Sequence, residues 1–260
     1  MNLKIIFISY LLICVLAFVF QRKLQFFPSK NLRDPAFYGL SDFQIQTLTT
    51  KDNLKITSWF KEPEEDQKTI VYFHGNGGNL ADRNLRFKLF AKAGFGIMAL
   101  SYQGYGTSEG KPSQKALIEN ADLVIDFLIK KGLKAEDMIF YGESLGSFVA
   151  IKQAVKFNPF AVVLESPFYS VLEIGKQNYW FLPVSLLLKD RFESNKYAGD
   201  VKSKVLVLHG DKDRVVPIKS GKKLFKIFTS EKKFVEVPGE GHITIADEIL
   251  LEEIEKFVSQ

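Results

Sequence analysis

From Thr69 onward the chain alternates two kinds of segment. Short apolar runs, Ile70 to Phe73, Gly96 to Leu100, Met138 to Tyr141, Ala161 to Leu164 and Val205 to Leu208, are separated by stretches of helical period. Those stretches are Leu80 to Ala93, Ser113 to Lys131, Ser144 to Val155 and Pro217 to Phe228. Apolar runs this short and unbroken fit strands buried on both faces, and the intervening helices supply the cover. Strands joined through helices run parallel, with right-handed crossovers. Phe43 to Thr49 and Leu54 to Phe60 instead alternate apolar and polar residues, as half-buried antiparallel strands do. A last strand, Lys233 to Val237, and a helix, Ile245 to Val258, complete one α/β domain around a mostly parallel sheet.

Two segments stand outside this pattern. Ile5 to Phe20 is almost unbroken apolar, flanked by Lys4, Arg22 and Lys23. At ~1.5 Å per residue it falls slightly short of a ~30 Å hydrocarbon core, which Leu3 and the snorkelling basic flanks extend to a full span. No small-x-small cleavage site follows Ala17-Phe18-Val19, so residues 1–24 read as an uncleaved membrane anchor rather than a signal peptide. Basic residues at both ends leave its orientation open. The only cysteine, Cys14, lies in this run, where it reads as a bilayer-facing thiol, and a lone cysteine excludes an internal disulfide or a cysteine metal site. The second segment, residues 167–200, carries Tyr179, Trp180, Phe181, Leu182 and Leu186 to Leu188, and fits neither strand nor simple loop. It reads as a cap of short helices inserted in a domain spanning residues 25–260.

The net charge of +5 includes ten basic residues between Lys202 and Lys233. Lys219, Lys222, Lys223 and Lys226 interleave with Ile218, Leu224, Phe225 and Ile227 at helical spacing, the pattern of a solvated face opposite a buried one. With no aromatic residues alternating among the basic ones, nucleic acid is not an expected partner.

The chemistry begins at Gly142-Glu143-Ser144-Leu145-Gly146, directly after a strand and directly before a helix. A nucleophile elbow needs this arrangement, with a serine in a strained turn and small neighbours that let strand and helix approach. A serine hydroxyl requires a general base, and the histidines are His74, His209 and His242. His74 and His209 each end a strand and precede glycine, and read as turn residues. His242 follows a strand within Pro238-Gly239-Glu240-Gly241, a loop able to carry an imidazole over the sheet edge. The base needs a carboxylate to hold its tautomer. Asp213 lies deep enough in its loop to turn toward His242, whereas Asp211 reads as a partner of its own turn backbone. The order serine, acid, histidine is that of α/β-hydrolases. For the oxyanion, the backbone N–H groups of Leu145 and of Asn76, in the loop His74-Gly75-Asn76-Gly77-Gly78-Asn79, are the candidates. That loop lacks the lysine of a phosphate-binding P-loop.

With these residues in place the chain resembles the membrane-anchored α/β-hydrolase-domain proteins, which are similar to serine aminopeptidases and acyl-protein thioesterases. The resemblance rests on Gln25-Phe26-Phe27-Pro28, the loop from His74 to Asn79, Gly104-Tyr105-Gly106-Thr107-Ser108-Glu109-Gly110, the Ser144 elbow, Glu165-Ser166-Pro167-Phe168, the Asp213 loop and Gly241-His242. Gln103 departs from it, since many relatives have arginine there. The resemblance implies an α/β-hydrolase fold: a mostly parallel eight-stranded sheet, helices on both faces and a small helical cap. It also implies a serine hydrolase of acyl esters or thioesters that needs no cofactor or metal. The apolar cap and anchor favour a lipid-like acyl substrate. A peptidase of aminopeptidase type and an inactive scaffold on the same fold are the rival readings. The sequence does not state the oligomeric form.

Overall fold

The computed structural model describes residues 3–259, so Met1 and Asn2 of the expected anchor, and Gln260, lie outside the described residues. The apolar N-terminal run forms helix α1 (Leu3–Gln25), which continues through Arg22 and Lys23 beyond the apolar segment. At ~1.5 Å per residue it is about 34 Å long, enough to cross a hydrocarbon core once the basic flanks are included. Most of its surface is exposed, with Cys14 as its buried residue. The thiol therefore faces the protein, which corrects the bilayer-facing expectation.

The domain beyond α1 contains β1 (Gln44–Thr49), β2 (Lys55–Lys61), β3 (Thr69–Phe73), α2 (Asn84–Lys92), β4 (Gly96–Leu100), α3 (Gln114–Lys130) and β5 (Met138–Glu143). It continues with α4 (Leu145–Phe157), β6 (Ala161–Glu165), α5 (Val171–Asn178), α6 (Val184–Leu187), β7 (Lys204–Gly210), α7 (Ile218–Phe225), β8 (Lys232–Val237) and α8 (Asp247–Val258). The eight strands form one sheet in the order β8-β7-β6-β5-β3-β4-β2-β1. β2 pairs antiparallel with both β1 and β4, and every other pairing is parallel. This is the α/β-hydrolase architecture expected from the sequence.

The parallel strands read as unbroken apolar runs because the sheet separates two cores. Val71 and Phe73 of β3 pack with Leu117, Val124, Phe148 and Ile151 from α3 and α4. Ile70 and Tyr72, one residue out of phase on the same strand, pack with Phe87, Phe90, Leu250 and Ile254 from α2 and α8. Phe73 lies opposite Gly142, Glu143 opposite Glu165, and Gly210 opposite Val237, so these strands finish together. Their loops converge on one sheet edge. The chain order reverses between β3 and β5, and the crevice at such a reversal is where ligands bind in open α/β sheets.

Residues 167–200 fold as α5, α6 and two short 3-10 turns. This segment packs beside α1: Gln21 Nε2 donates to Leu187 O (3.0 Å), Gln21 Oε1 accepts from the Lys189 N–H (2.7 Å), and Tyr10 Oη donates to Phe181 O (3.0 Å). Arg22 pairs with the buried Asp190 carboxylate at 2.6 Å.

Candidate active site

Ser144 follows β5 and caps α4 with φ 49° and ψ −111°. That left-handed backbone costs a non-glycine residue about 1–3 kcal/mol, and the surrounding packing sustains it. A Cβ on Gly146 would clash with the carbonyls of Phe73 and His74, and one on Gly142 would stand 2.6 Å from the backbone of Gly146 and Ser147. Both glycines are thus required where strand and helix cross.

The expected partners converge on this turn. His242 Nε2 lies 2.9 Å from Ser144 Oγ, and His242 Nδ1 lies 2.7 Å from Asp213 Oδ2. Asp213 is buried, and its Oδ1 accepts the N–H groups of Val215 (2.9 Å) and Val216 (2.8 Å). Burial alone would push this carboxyl up. Hydrogen bonds from His209, His242 and the Val216 N–H overcome burial and hold it well below the usual carboxylate range. An ionised carboxylate only accepts, so it fixes the proton of His242 on Nδ1 and leaves Nε2 as an acceptor toward Ser144.

Asp211 takes a different role from Asp213. Its Oδ1 accepts the Gly239 N–H at 2.7 Å, so it braces the loop that carries His242 rather than its own turn. His209, read as a turn residue, is buried with Nε2 2.8 Å from Val216 O and 3.3 Å from Asp213 Oδ2. Its ring thus packs against the carboxylate that faces His242. His74 is also buried, its Nδ1 2.7 Å from Gly75 O and its ring against Tyr102 and Tyr105. Burial first, and the charge of Arg83 second, lower it to about 3, so it stays neutral.

Leu145 is the first residue of α4, where a backbone N–H has no intrahelical acceptor. Asn76 lies in the loop after β3 and is pinned on three sides. Its carbonyl accepts the Phe27 N–H (2.9 Å) and the Tyr105 hydroxyl (2.7 Å), and its Nδ2 donates to Gln25 O (3.0 Å). Phe27–Pro28 and Gly77–Gly78 also form a two-residue parallel pair. The residues just after α1 therefore set the shape of this loop.

Beneath it lies an ion pair that the sequence reading missed. Arg83 forks onto Glu143 while its Nη1 donates to Gly77 O (3.1 Å) and Asn79 O (3.0 Å), and Glu143 Oε1 accepts the Gly75 N–H (3.3 Å). A glutamate inside a buried strand end was the available signal, because a buried carboxylate needs a cation. Burial would raise Glu143, but Arg83 brings it down to about 2. A depressed acid stabilises the fold above its unfolded pKa, and that contribution is lost as pH falls toward the folded value. The thermal midpoint is therefore expected to drop between about pH 5 and about pH 2. Glu143→Gln should start lower at neutral pH and change less over that window in a calorimetric pH series.

Gly75, Asn76, Ser144 and His242 open on a cavity of about 600 Å³ whose other walls include Asp82, Arg83, Thr244 and Asp247. The arrangement brings a serine hydroxyl, an imidazole, a carboxylate and the Asn76 loop together on one cavity.

Comparison with known proteins agrees with the fold. The family described as serine aminopeptidase, S33, matches residues 64–197. An uncharacterized membrane protein of Saccharomyces cerevisiae is 32% identical over 208 residues, covering 77% of this chain and 73% of that one. The lysophosphatidylserine lipase ABHD12 of Danio rerio is 28% identical over 199 residues, covering 68% of this chain and 52% of the lipase. Among solved structures, the Pyrococcus furiosus esterase Pf2001 superposes with a TM-score of 0.70 at 17% identity, covering 90% of this chain and 97% of the esterase. The chain therefore belongs to the serine aminopeptidase S33 family of α/β hydrolases.

Proposed function

We propose that the protein is a serine hydrolase that cleaves acyl esters or thioesters through an acyl-enzyme, with Ser144 as nucleophile, His242 as base and Asp213 as the acid that orients it. The observation carrying this reading is the single imidazole bonded to Asp213 Oδ2 through Nδ1 and to Ser144 Oγ through Nε2. Nε2 takes the Ser144 proton as Oγ attacks the carbonyl carbon, and the N–H groups of Leu145 and Asn76 receive the oxyanion. His242 then protonates the leaving alcohol or thiol, and water repeats the sequence on the acyl-enzyme. Asp213 stabilises the imidazolium at both stages.

The substrate is a small or lipid-like acyl compound. A lipase and an esterase among the similar proteins support ester chemistry, and the apolar surface of the cap supports a lipid-like acyl group. Turnover of p-nitrophenyl acetate, octanoate and a thioester beside aminoacyl p-nitroanilides tests this. Ester or thioester turnover that exceeds anilide turnover supports it, and the reverse order establishes a peptidase.

We further propose that residues 1–24 anchor the chain in a membrane through α1, that residues 25–260 form the hydrolase domain, and that residues 167–200 are its cap. Removing residues 1–20 should release an active protein that no longer sediments with membranes. Removing residues 1–23 should release it too, but with a lower thermal midpoint, because Asp190 loses Arg22 and the cap loses both Gln21 hydrogen bonds; Arg22→Met in the shorter deletion isolates the ion pair. Equal midpoints would show that this pair adds nothing.

A further inference from the structure

A second cavity, of about 270 Å³, lies between α1 and the cap, lined by Ala17, Leu24, Ile174, Tyr179, Leu182 and Leu187 among others. Its size is near the lower end of small-molecule sites. We propose that this groove binds an acyl chain delivered from the bilayer leaflet that α1 enters, and that the tip of the cap sits in that leaflet. The proposal deepens the reading of α1 as an anchor and of Ser144 as an acyl-transfer nucleophile, and rests on it.

Three observations carry it. First, the cap follows α1 lengthwise, from the Gln21 contact with Leu187 to the Tyr10 contact with Phe181. Those eleven residues of helix span about 16 Å, roughly half of a ~30 Å hydrocarbon core. A segment that runs beside a membrane-spanning helix over that distance shares its surroundings.

Second, the cap tip is apolar and uncovered. Trp180 and Leu186 are 81% and 83% exposed, and Tyr179 and Phe181 beside them are also exposed. Apolar exposure of this kind is a liability in water and fits hydrocarbon. Lys176 and Lys189 flank it in sequence, with stems long enough to reach the headgroups.

Third, the groove adjoins the site. Gln25 lines it, and the Gln25 carbonyl accepts Asn76 Nδ2 (3.0 Å), while Asn76 lines the cavity at Ser144. One hydrogen bond thus ties the wall of the apolar groove to the wall of the cavity that carries the more polar residues. The two chambers match a substrate that is apolar at one end and polar at the other.

The test separates this proposal from the hydrolase reading by using Ser144→Ala protein, which binds without turnover. The full chain is placed in phosphatidylcholine vesicles with brominated acyl chains. Trp59 and Trp180 are the two tryptophans, and Trp59 is fully buried in the core, so the emission lost in Trp180→Phe reports the tip. Bromine should quench that component at least twofold and acrylamide should not. In the Trp180→Phe background, Leu187→Trp, or Tyr179→Trp if that variant misfolds, places an indole in the groove wall, and brominated chains should quench it as well. Quenching by acrylamide in place of bromine at the tip overturns insertion, and an unquenched groove indole overturns the acyl-chain site. In protein with Ser144 intact, Ile174→Phe should lower the octanoyl-to-acetyl ratio of kcat/KM at least tenfold. An unchanged ratio in folded protein counts against the groove while the hydrolase reading stands. Absence of all ester turnover counts against the hydrolase reading, and the quenching result then judges the groove alone.

Discussion

Ser144→Ala is expected to lower ester hydrolysis by about a million-fold, the loss seen when the nucleophile is removed from a serine hydrolase. It should also abolish covalent labelling by a fluorophosphonate, which reacts with an activated serine. The fold should persist, because the Ser144 hydroxyl bonds to His242 Nε2 and the turn itself is held by the Ser144 N–H to Glu165 O and by Gly142 and Gly146. Labelling stoichiometry and kcat on purified protein, with circular dichroism as the control, decide the matter. Labelling that survives in the folded variant moves the nucleophile elsewhere.

Asp213→Asn should reduce kcat by about ten-thousandfold, the effect of forcing a triad histidine into the wrong tautomer. Geometry dictates the sign. Two backbone N–H groups bind Oδ1, so the amide carbonyl must occupy that position. The NH₂ then falls where Oδ2 was, facing His242 Nδ1 and His209 Nε2. His242 must accept at Nδ1 and carry its proton on Nε2, where it cannot take one from Ser144. Asp211→Asn should leave kcat nearly unchanged, because an amide oxygen can still accept the Gly239 N–H. Equal losses in the two variants would leave the acid unassigned.

Much of this was legible in the sequence because strands buried on both faces leave apolar runs, and the turns between them use glycine. Ser144, Asp213 and His242 could be picked out because the chemistry needs one residue of each type at a strand end. The geometry brings those three together, and their roles await the variants above. Sequence reading did not reach His209, Arg83 or Glu143. Local pattern shows that His209 ends a strand. It does not show that β7 and its following loop fold back so that the ring meets Asp213. The Arg83–Glu143 pair joins residues 60 apart, and no periodicity reports such a pairing. The apolar residues of the cap also divide, since Leu187 lines the groove whereas Trp180 faces outward. Sequence gave their apolarity but not their direction. At Gln103 the backbone N–H bonds to Asn120 Oδ1 at 2.8 Å, and this residue does not line the cavity at Ser144.

The pairing of Phe27–Pro28 with Gly77–Gly78 bears on the order in which the chain matures. The ribosome makes the N-terminal segment first, yet its partners emerge about 50 residues later at Asn76 and Asn79, and Asp190 follows 168 residues after Arg22. The elbow at Ser144 needs only its own strand, helix and the neighbouring strands, so it can form while the start of the chain is still undocked. The Asn76 loop cannot be set until that start returns to it. Placing the Asn76 loop is therefore a step separate from closing the sheet, and recovered hydrolysis should lag behind refolding followed by circular dichroism.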